Sequence, residues 1–350
     1  YIVLFSSLIL LLGTQMSCSD SYLEEKPMDK FSPENLLTSK KGFETVIYSL
    51  HNFARSGLFQ SNNEDVMNTG TDVACSGVTD GRFFNDYSLI LPEHATPKFY
   101  WNWAYQKMLK DANLIITRAE NPNVSWTEDE KNTIVAEAKF FRAYTYNILV
   151  NLFGGVPIVD KEELSPRFDY TRASRKEVLE FIQKDLEFAA QYLPIVTSDA
   201  SQDGRIFRAA ANHLLSEVYI SLGQETGDQL FYDKSIAAAT AVIDGSCGEY
   251  ALVKSRFGDT SRPGDYYSDL FWTNQQNRAS GNKEGIWVVQ FEYLTPGAEE
   301  ANNAQLRLWG PKIEDVTYPD GKKILVCDTV GRMQGIIRPC LLYTSDAADD

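Results

Sequence analysis

The residues of this chain that could do chemistry have the types and placement of a binding surface rather than of a catalytic centre. Its three histidines, His51, His94 and His213, do not form the His-Glu-x-x-His spacing of a zinc protease helix. No phosphate-binding loop, dinucleotide-binding glycine pattern or nucleophile elbow occurs, so no cofactor is expected. Carboxylates are abundant, but a glycosidase needs a pair at a set separation, which sequence alone does not provide. A ligand with coplanar hydroxyls and apolar C–H faces, as a sugar ring has, calls for aromatic platforms flanked by Asn, Asp and Arg. Loops carry two such groups. The first is Asp72, Asp80, Arg82, Asn85 and Tyr87; the second is Trp272, Asn274, Gln275 and Trp309. Trp101 and Trp287 are expected in the core, and His213 on a core helix.

These groups need elements to hold them. A helix is expected from Lys40 to Arg55, with Phe43, Val46, Ile47, Leu50 and Phe53 on one stripe. Residues 62–87 are rich in Asn, Asp, Gly, Thr and Ser and read as one long loop, a common seat of function. A second helix is expected from Pro97 to Ala119, with Trp101, Tyr105, Met108, Ala112 and Ile115 on its buried side. Thr127 and Glu130 have capping-box spacing and open a third helix, which Gly154, Gly155 and Pro157 stop. Ser174 and Glu177 repeat the cap ahead of a helix that ends at Pro194. Residues 204–223 and 231–245 then predict a helix pair, with Ala210, Ala211, Ala237 and Ala238 allowing close approach. After Gly248 the helical period fades. Residues 285–291 read as a strand, residues 268–285 as a polar loop, and Pro319-Asp320-Gly321 as a turn.

Before these elements, Ile2 to Leu12 form an apolar run broken by Ser6 and Ser7. It is too short for the about 20 residues of a membrane span and suits a signal-peptide core. Cys18 follows, placed as in a bacterial lipobox, where its thiol would carry lipid. Buried acyl chains contribute roughly 0.8 kcal/mol per CH2, and more than one chain gives a stable anchor. Residues 1–17 are thus expected to be a lipoprotein signal peptide and residues 18–36 a tether. Residues 340–350 have no helical or strand period and resemble a translated sequencing-library adapter, so the natural chain is expected to depart from this sequence after Pro339. Apart from Cys18 and Cys340, Cys75, Cys247 and Cys327 have no metal-type spacing, and partly buried free thiols are expected. The net charge of −15 argues against a nucleic-acid binder, which needs a basic face.

Several words in this chain go beyond a helical period. Phe141-Arg142-Ala143-Tyr144 and Phe153-Gly154-Gly155-Val156-Pro157, at this separation, resemble the signature of the SusD/RagB family. The pattern of Trp101, Tyr105 and Asn113, and the run from Arg172 to Pro194, resemble it too, as does the start at Ser17-Cys18-Ser19-Asp20. Tyr219 with Gly223, and Tyr232 to Ile236, loosely resemble a tetratricopeptide unit. The resemblance implies a mainly α fold, an α-helical superhelix with tetratricopeptide-like pairs plus a loop and short-strand ligand region. It implies residues 37–339 as one SusD-like domain, C-terminally incomplete because family members are longer. It also implies a non-catalytic, surface-exposed lipoprotein of the outer membrane, anchored through acylated Cys18. Such a protein binds an oligosaccharide or other nutrient and caps a SusC-like TonB-dependent transporter. Two other readings stay open at this level: a surface glycoside hydrolase with a helical fold, and a helical-repeat scaffold that binds only proteins.

Overall fold

The structure is a computed structural model, and it describes residues 33–59, 69–71, 73–77, 86–91, 93, 95–291, 308–310, 317–323, 335 and 337–339. Cys18, Cys327, Cys340 and the segments 1–17 and 340–350 lie outside these residues, as does His94. The described chain is mostly helical. In order it forms α1 (Pro33–Leu36), α2 (Lys40–Ala54), β1 (Ala74–Ser76), α3 (Ala95–Trp103), α4 (Leu109–Arg118), α5 (Glu128–Phe153) and α6 (Arg175–Tyr192). Then come α7 (Arg208–Thr226), α8 (Gln229–Ile243), the single turn α9 (Tyr266–Asp269) and β2 (Ile337–Pro339). Helices α4 to α8 each pack on their sequence neighbours, and α2 closes against α4 and α5.

The expected caps are present. Glu130 N–H donates to the Thr127 hydroxyl and the Glu130 carboxylate accepts from Thr127 N–H, and Ser174 with Glu177 does the same for α6. These reciprocal bonds satisfy backbone donors that a helix start leaves without partners. The two glycines after α5 act differently. Gly154 has φ +70°, which suits a residue without Cβ. At Gly155 a Cβ would stand 2.1 Å from the Ala173 carbonyl oxygen, so here close approach of backbones is what requires glycine. In the α7–α8 pair, a Cβ on Gly223 would meet the Tyr232 ring at 2.7 Å. Ser235 Oγ donates to the Ser216 carbonyl across the same contact, at 2.8 Å. Ala210, Ala211 and Ala238 are buried as expected, but Ala237 is exposed. Gly223 and the serines set the approach there.

Helix α5 carries the core. Ile134, Ala138, Phe141 and Leu149 are buried on it, and Phe43, Ile47 and Leu50 of α2 join the same cluster. The second predicted helix is corrected by the structure. It starts at Ala95 and is interrupted by a π-turn over Ala104–Met108. A π-turn inserts an extra residue, so the stripe before it is out of phase with the stripe after it. Met108, Ala112 and Ile115 are buried as predicted, whereas Trp101 turns outward and is 36% exposed.

The expected strand over residues 285–291 is not formed either. This segment has no partner strand among the described residues; it lies as a strap on the helices. Trp287 packs against His51, Phe59, Phe140, Phe141 and Tyr144, with ring centroids 5.6–6.5 Å away. Arg55 Nη1 holds the Gln290 carbonyl at 3.4 Å. The Pro319-Asp320-Gly321 turn is present, with Gly321 N–H donating to the Tyr318 carbonyl at 2.9 Å. Cys247 is a buried free thiol. His213 sits on α7 but faces solvent beside Glu217. Among the described residues, no helix is long and apolar enough to cross a membrane.

Candidate ligand-binding surface

The residues of the signature words form one connected polar brace. Arg142 Nε and Nη2 donate to the Asp185 carboxylate at 2.6 and 2.8 Å. Its Nη1 donates to Asn113 Oδ1 at 2.7 Å and to the Asp160 carbonyl at 2.7 Å. Asn113 Nδ2 donates to the Val159 carbonyl at 2.8 Å, and Val159 N–H donates to Tyr146 Oη at 2.7 Å. Tyr105 Oη donates to the Pro157 carbonyl at 2.7 Å. The extended stretch after the two glycines is therefore tied to α4, α5 and the π-turn before α4. Burial pushes the Tyr105 and Tyr146 hydroxyls well above the usual phenol range, so both stay neutral donors and acceptors.

The two predicted loop groups have different environments. Asp72, Asp80, Arg82 and Asn85 lie outside the described residues. Tyr87 is exposed on a short turn capped by Asp86, whose carboxylate accepts from Ser88 hydroxyl and N–H; these bonds hold its pKa below the usual range. The Tyr87 hydroxyl donates to the Gly70 carbonyl. Strand β1 pairs antiparallel with β2, Ala74 opposite Pro339 and Ser76 opposite Ile337. Ala74 and Ile337 enclose Leu308 in a small apolar cluster. Trp309, the next residue, is 47% exposed. The structure thus draws together β1, β2 and the Leu308 segment next to Trp309, far apart in sequence.

Trp272, Asn274 and Gln275 belong to a separate loop system. Gln275 is buried, and its amide is fully engaged. Its Oε1 accepts from Asp259 N–H at 3.1 Å, and its Nε2 donates to the Phe257 and Asp269 carbonyls at 3.2 and 3.3 Å. Asn274 is exposed with φ +69°, a conformation Asn tolerates better than most residues. Trp272 is half-buried under the Arg262 guanidinium, 5.3 Å from the ring centre. Asp269 accepts from Arg256 Nε at 2.6 Å, and that bond holds its carboxyl below the usual range.

The sequence reading missed a cleft of about 500 Å³ beside the brace. Its apolar wall is Trp101, Tyr105, Leu114 and Pro157; Lys110, Lys161 and Tyr170 stand around it. Trp101 leans on Tyr105 at 4.8 Å between ring centres and meets Phe153 edge-on at 5.6 Å. Trp101 and Tyr105 were visible as an i, i+4 aromatic pair; the π-turn that faces Trp101 outward leaves no sequence signal. Among the described residues, no group of His, Cys, Asp and Glu could hold a metal ion.

A helical stack braced at these positions, with short strands gathering the loops, defines a class of protein. Residues 21–220 match the model of a SusD-like family described as "Starch-binding associating with outer membrane". The chain belongs to this family. It is 26% identical over 296 residues to SusD-like protein P2 of Formosa agariphila, covering 81% of this chain and 52% of that protein. The chain therefore spans about half the length of that curated relative. Its fold is similar to that of a SusD homolog from Bacteroides thetaiotaomicron, with TM-score 0.69 and 19% identity, covering 91% of this chain and 57% of that one. A laminarin-binding SusD-like protein is also similar, with TM-score 0.63 and 19% identity, over 88% of this chain and 64% of that one.

Proposed function

We propose that this chain is a non-catalytic nutrient-binding protein of the cell surface, and that its ligand is a glycan. Residues 1–17 act as its lipoprotein signal, and lipid on Cys18 anchors it to the outer membrane through the tether of residues 18–36. The domain of residues 37–339 then presents its ligand to a SusC-like TonB-dependent transporter. The observation that carries the reading is the match of residues 21–220 to the SusD-like family; Tyr87 and Trp309, both exposed aromatic residues, are its proposed platforms. An aromatic ring offers the C–H face of a sugar an apolar platform, and the flanking polar loop supplies hydrogen bonds. The laminarin-binding relative supports a glycan as the class of ligand.

The test is a glycan-array screen followed by calorimetry on the hits. Trp309→Ala is expected to weaken the best glycan by about tenfold or more, the size of a lost aromatic contact. Unchanged affinity in that variant would remove Trp309 from the site. Binding to no glycan, with stable capture of a membrane protein, would replace the reading with a protein-binding scaffold. Metabolic labelling with a fatty acid, lost in Cys18→Ala, checks the anchor. Co-purification with a TonB-dependent transporter checks the partner.

A further inference from the structure

The cleft against Trp101 includes neither Tyr87 nor Trp309, and the function proposed above makes no use of it. Its volume of about 500 Å³ lies within the about 300–1,000 Å³ typical of small-molecule sites. Its charged groups fall into two sets. The carboxylates are all engaged by protein donors: Glu162 by Arg118 at 2.6 Å, Glu163 by Tyr170, and Asp111 by the Ser49 hydroxyl at 2.7 Å. The two ammonium groups are not. Lys110 on α4 and Lys161 just beyond the brace are exposed, and neither has a carboxylate within 4.0 Å among the described residues. The same cleft has an aromatic and aliphatic wall that the brace holds in place through Tyr105 Oη and Asn113 Nδ2.

We propose that this cleft is a second carbohydrate site, and that it takes sugar acids: saccharides containing uronic acid residues. One such ligand has both features the cleft asks for. The C–H face of the ring lies on Trp101, where burial of apolar area favours it, and the carboxylates reach Lys110 and Lys161. A neutral sugar satisfies only the wall. A small inorganic anion satisfies only the lysines, which in water bind a lone charge weakly. The Asp111 carboxylate is turned into the contact with α2, where it accepts from the Ser49 hydroxyl, and burial raises its pKa.

The site is tested by calorimetry on the full chain with digalacturonate and with its dimethyl ester, which has the same ring geometry and no charge. Digalacturonate is expected to bind, and the ester to bind at least about tenfold more weakly, the factor for one charge-assisted hydrogen bond. Lys161→Gln and Lys110→Gln, both at the exposed rim, are each expected to cost a similar factor and to leave the thermal midpoint unchanged. Raising the salt concentration should weaken the acid and leave the ester unaffected. Trp101→Ala is expected to abolish binding of both; its thermal midpoint shows whether it folds, and the lysine variants decide the matter if it does not. No binding of digalacturonate, equal binding of acid and ester, or indifference to both lysine variants would each overturn the proposal. Because Trp309→Ala leaves this cleft untouched, its effect on neutral glycans is read separately. One site can fail without the other.

Discussion

The stack from α4 to α8 and the irregular region of residues 249–291 both bury polar side chains, but for opposite reasons. In the stack, helices satisfy their own backbone groups, so buried polar side chains are left to tie one element to another. Arg142 joins α5 to Asp185 of α6, and Glu137 joins α5 to His51 of α2 and to Arg205. In the irregular region the backbone has no ladder, and buried side chains stand in for one. Gln275 serves two carbonyls and one N–H, and Asn282 Oδ1 accepts from the Glu284 and Gly285 N–H groups at 2.9 and 3.2 Å. Every buried backbone donor or acceptor needs a partner, and only the supplier differs. Arg142, Glu137 and Asp185 on helices are thus joints between elements, whereas Gln275 and Asn282 on loops replace the element.

That contrast can be broken most forcefully at Arg142. Arg142→Ala leaves the buried Asp185 with Lys139 alone and removes the donor to Asn113. A loss of about 3–5 kcal/mol is expected, as for one partner removed from a buried pair. It should appear in chemical denaturation as a lower midpoint for the whole helical signal. A change confined to the loops would show that the joint does not hold the stack.

Acid tests the second joint. Burial pushes the Glu137 carboxyl up, but the His51 hydrogen bond and the Arg205 charge outweigh it and hold the pKa down, from 4.5 to about 2. A depressed carboxylate stabilises the fold fully above its unfolded value and loses that contribution as pH falls through the folded value. About 3 kcal/mol should therefore drain away between pH 4.5 and 2. In Glu137→Gln this part of the acid limb should flatten, with lower stability at neutral pH. An unchanged acid limb would assign the acid loss to other carboxylates.

The smallest effect sharpens the contrast from the loop side. Gln275→Ala should cost about 1–3 kcal/mol of local order, the penalty of leaving buried backbone groups unbonded. It should speed proteolysis within residues 257–281 while leaving the helical midpoint nearly in place. Equal loss of both signals would mean that loop and stack unfold as one unit.

The same division explains what was legible in the sequence. The caps at Thr127 and Ser174, the stop at Gly154 and Gly155, and the α7–α8 pair were readable because helix ends and stripes follow local rules. The outward turn of Trp101 was not, because a π-turn changes phase without a marker residue. Residues 285–291 are a short apolar run like that of a strand, and among the described residues the lack of a partner strand makes them a strap anchored by Trp287. Of the proposed binding residues, Tyr87 and Trp309 were chosen from loop composition. The β1–β2 pairing that gathers Ala74, Leu308 and Ile337 reaches across more than half the chain, which no local pattern encodes. Gln275 carries the same composition signal as a ligand residue and is committed to the loop, because a free amide and an engaged one are spelled alike.

The brace also limits what may stand at position 113. Asn113 donates from one end of its amide to Val159 and accepts at the other from Arg142. Asp and Leu have almost the same outline. Asp could receive Arg142 but would turn an oxygen toward the Val159 carbonyl; Leu could answer neither. The position behaves as a keyed connector, closed by polarity to residues that shape would admit, so that drift in its neighbours leaves it with one workable side chain of that size.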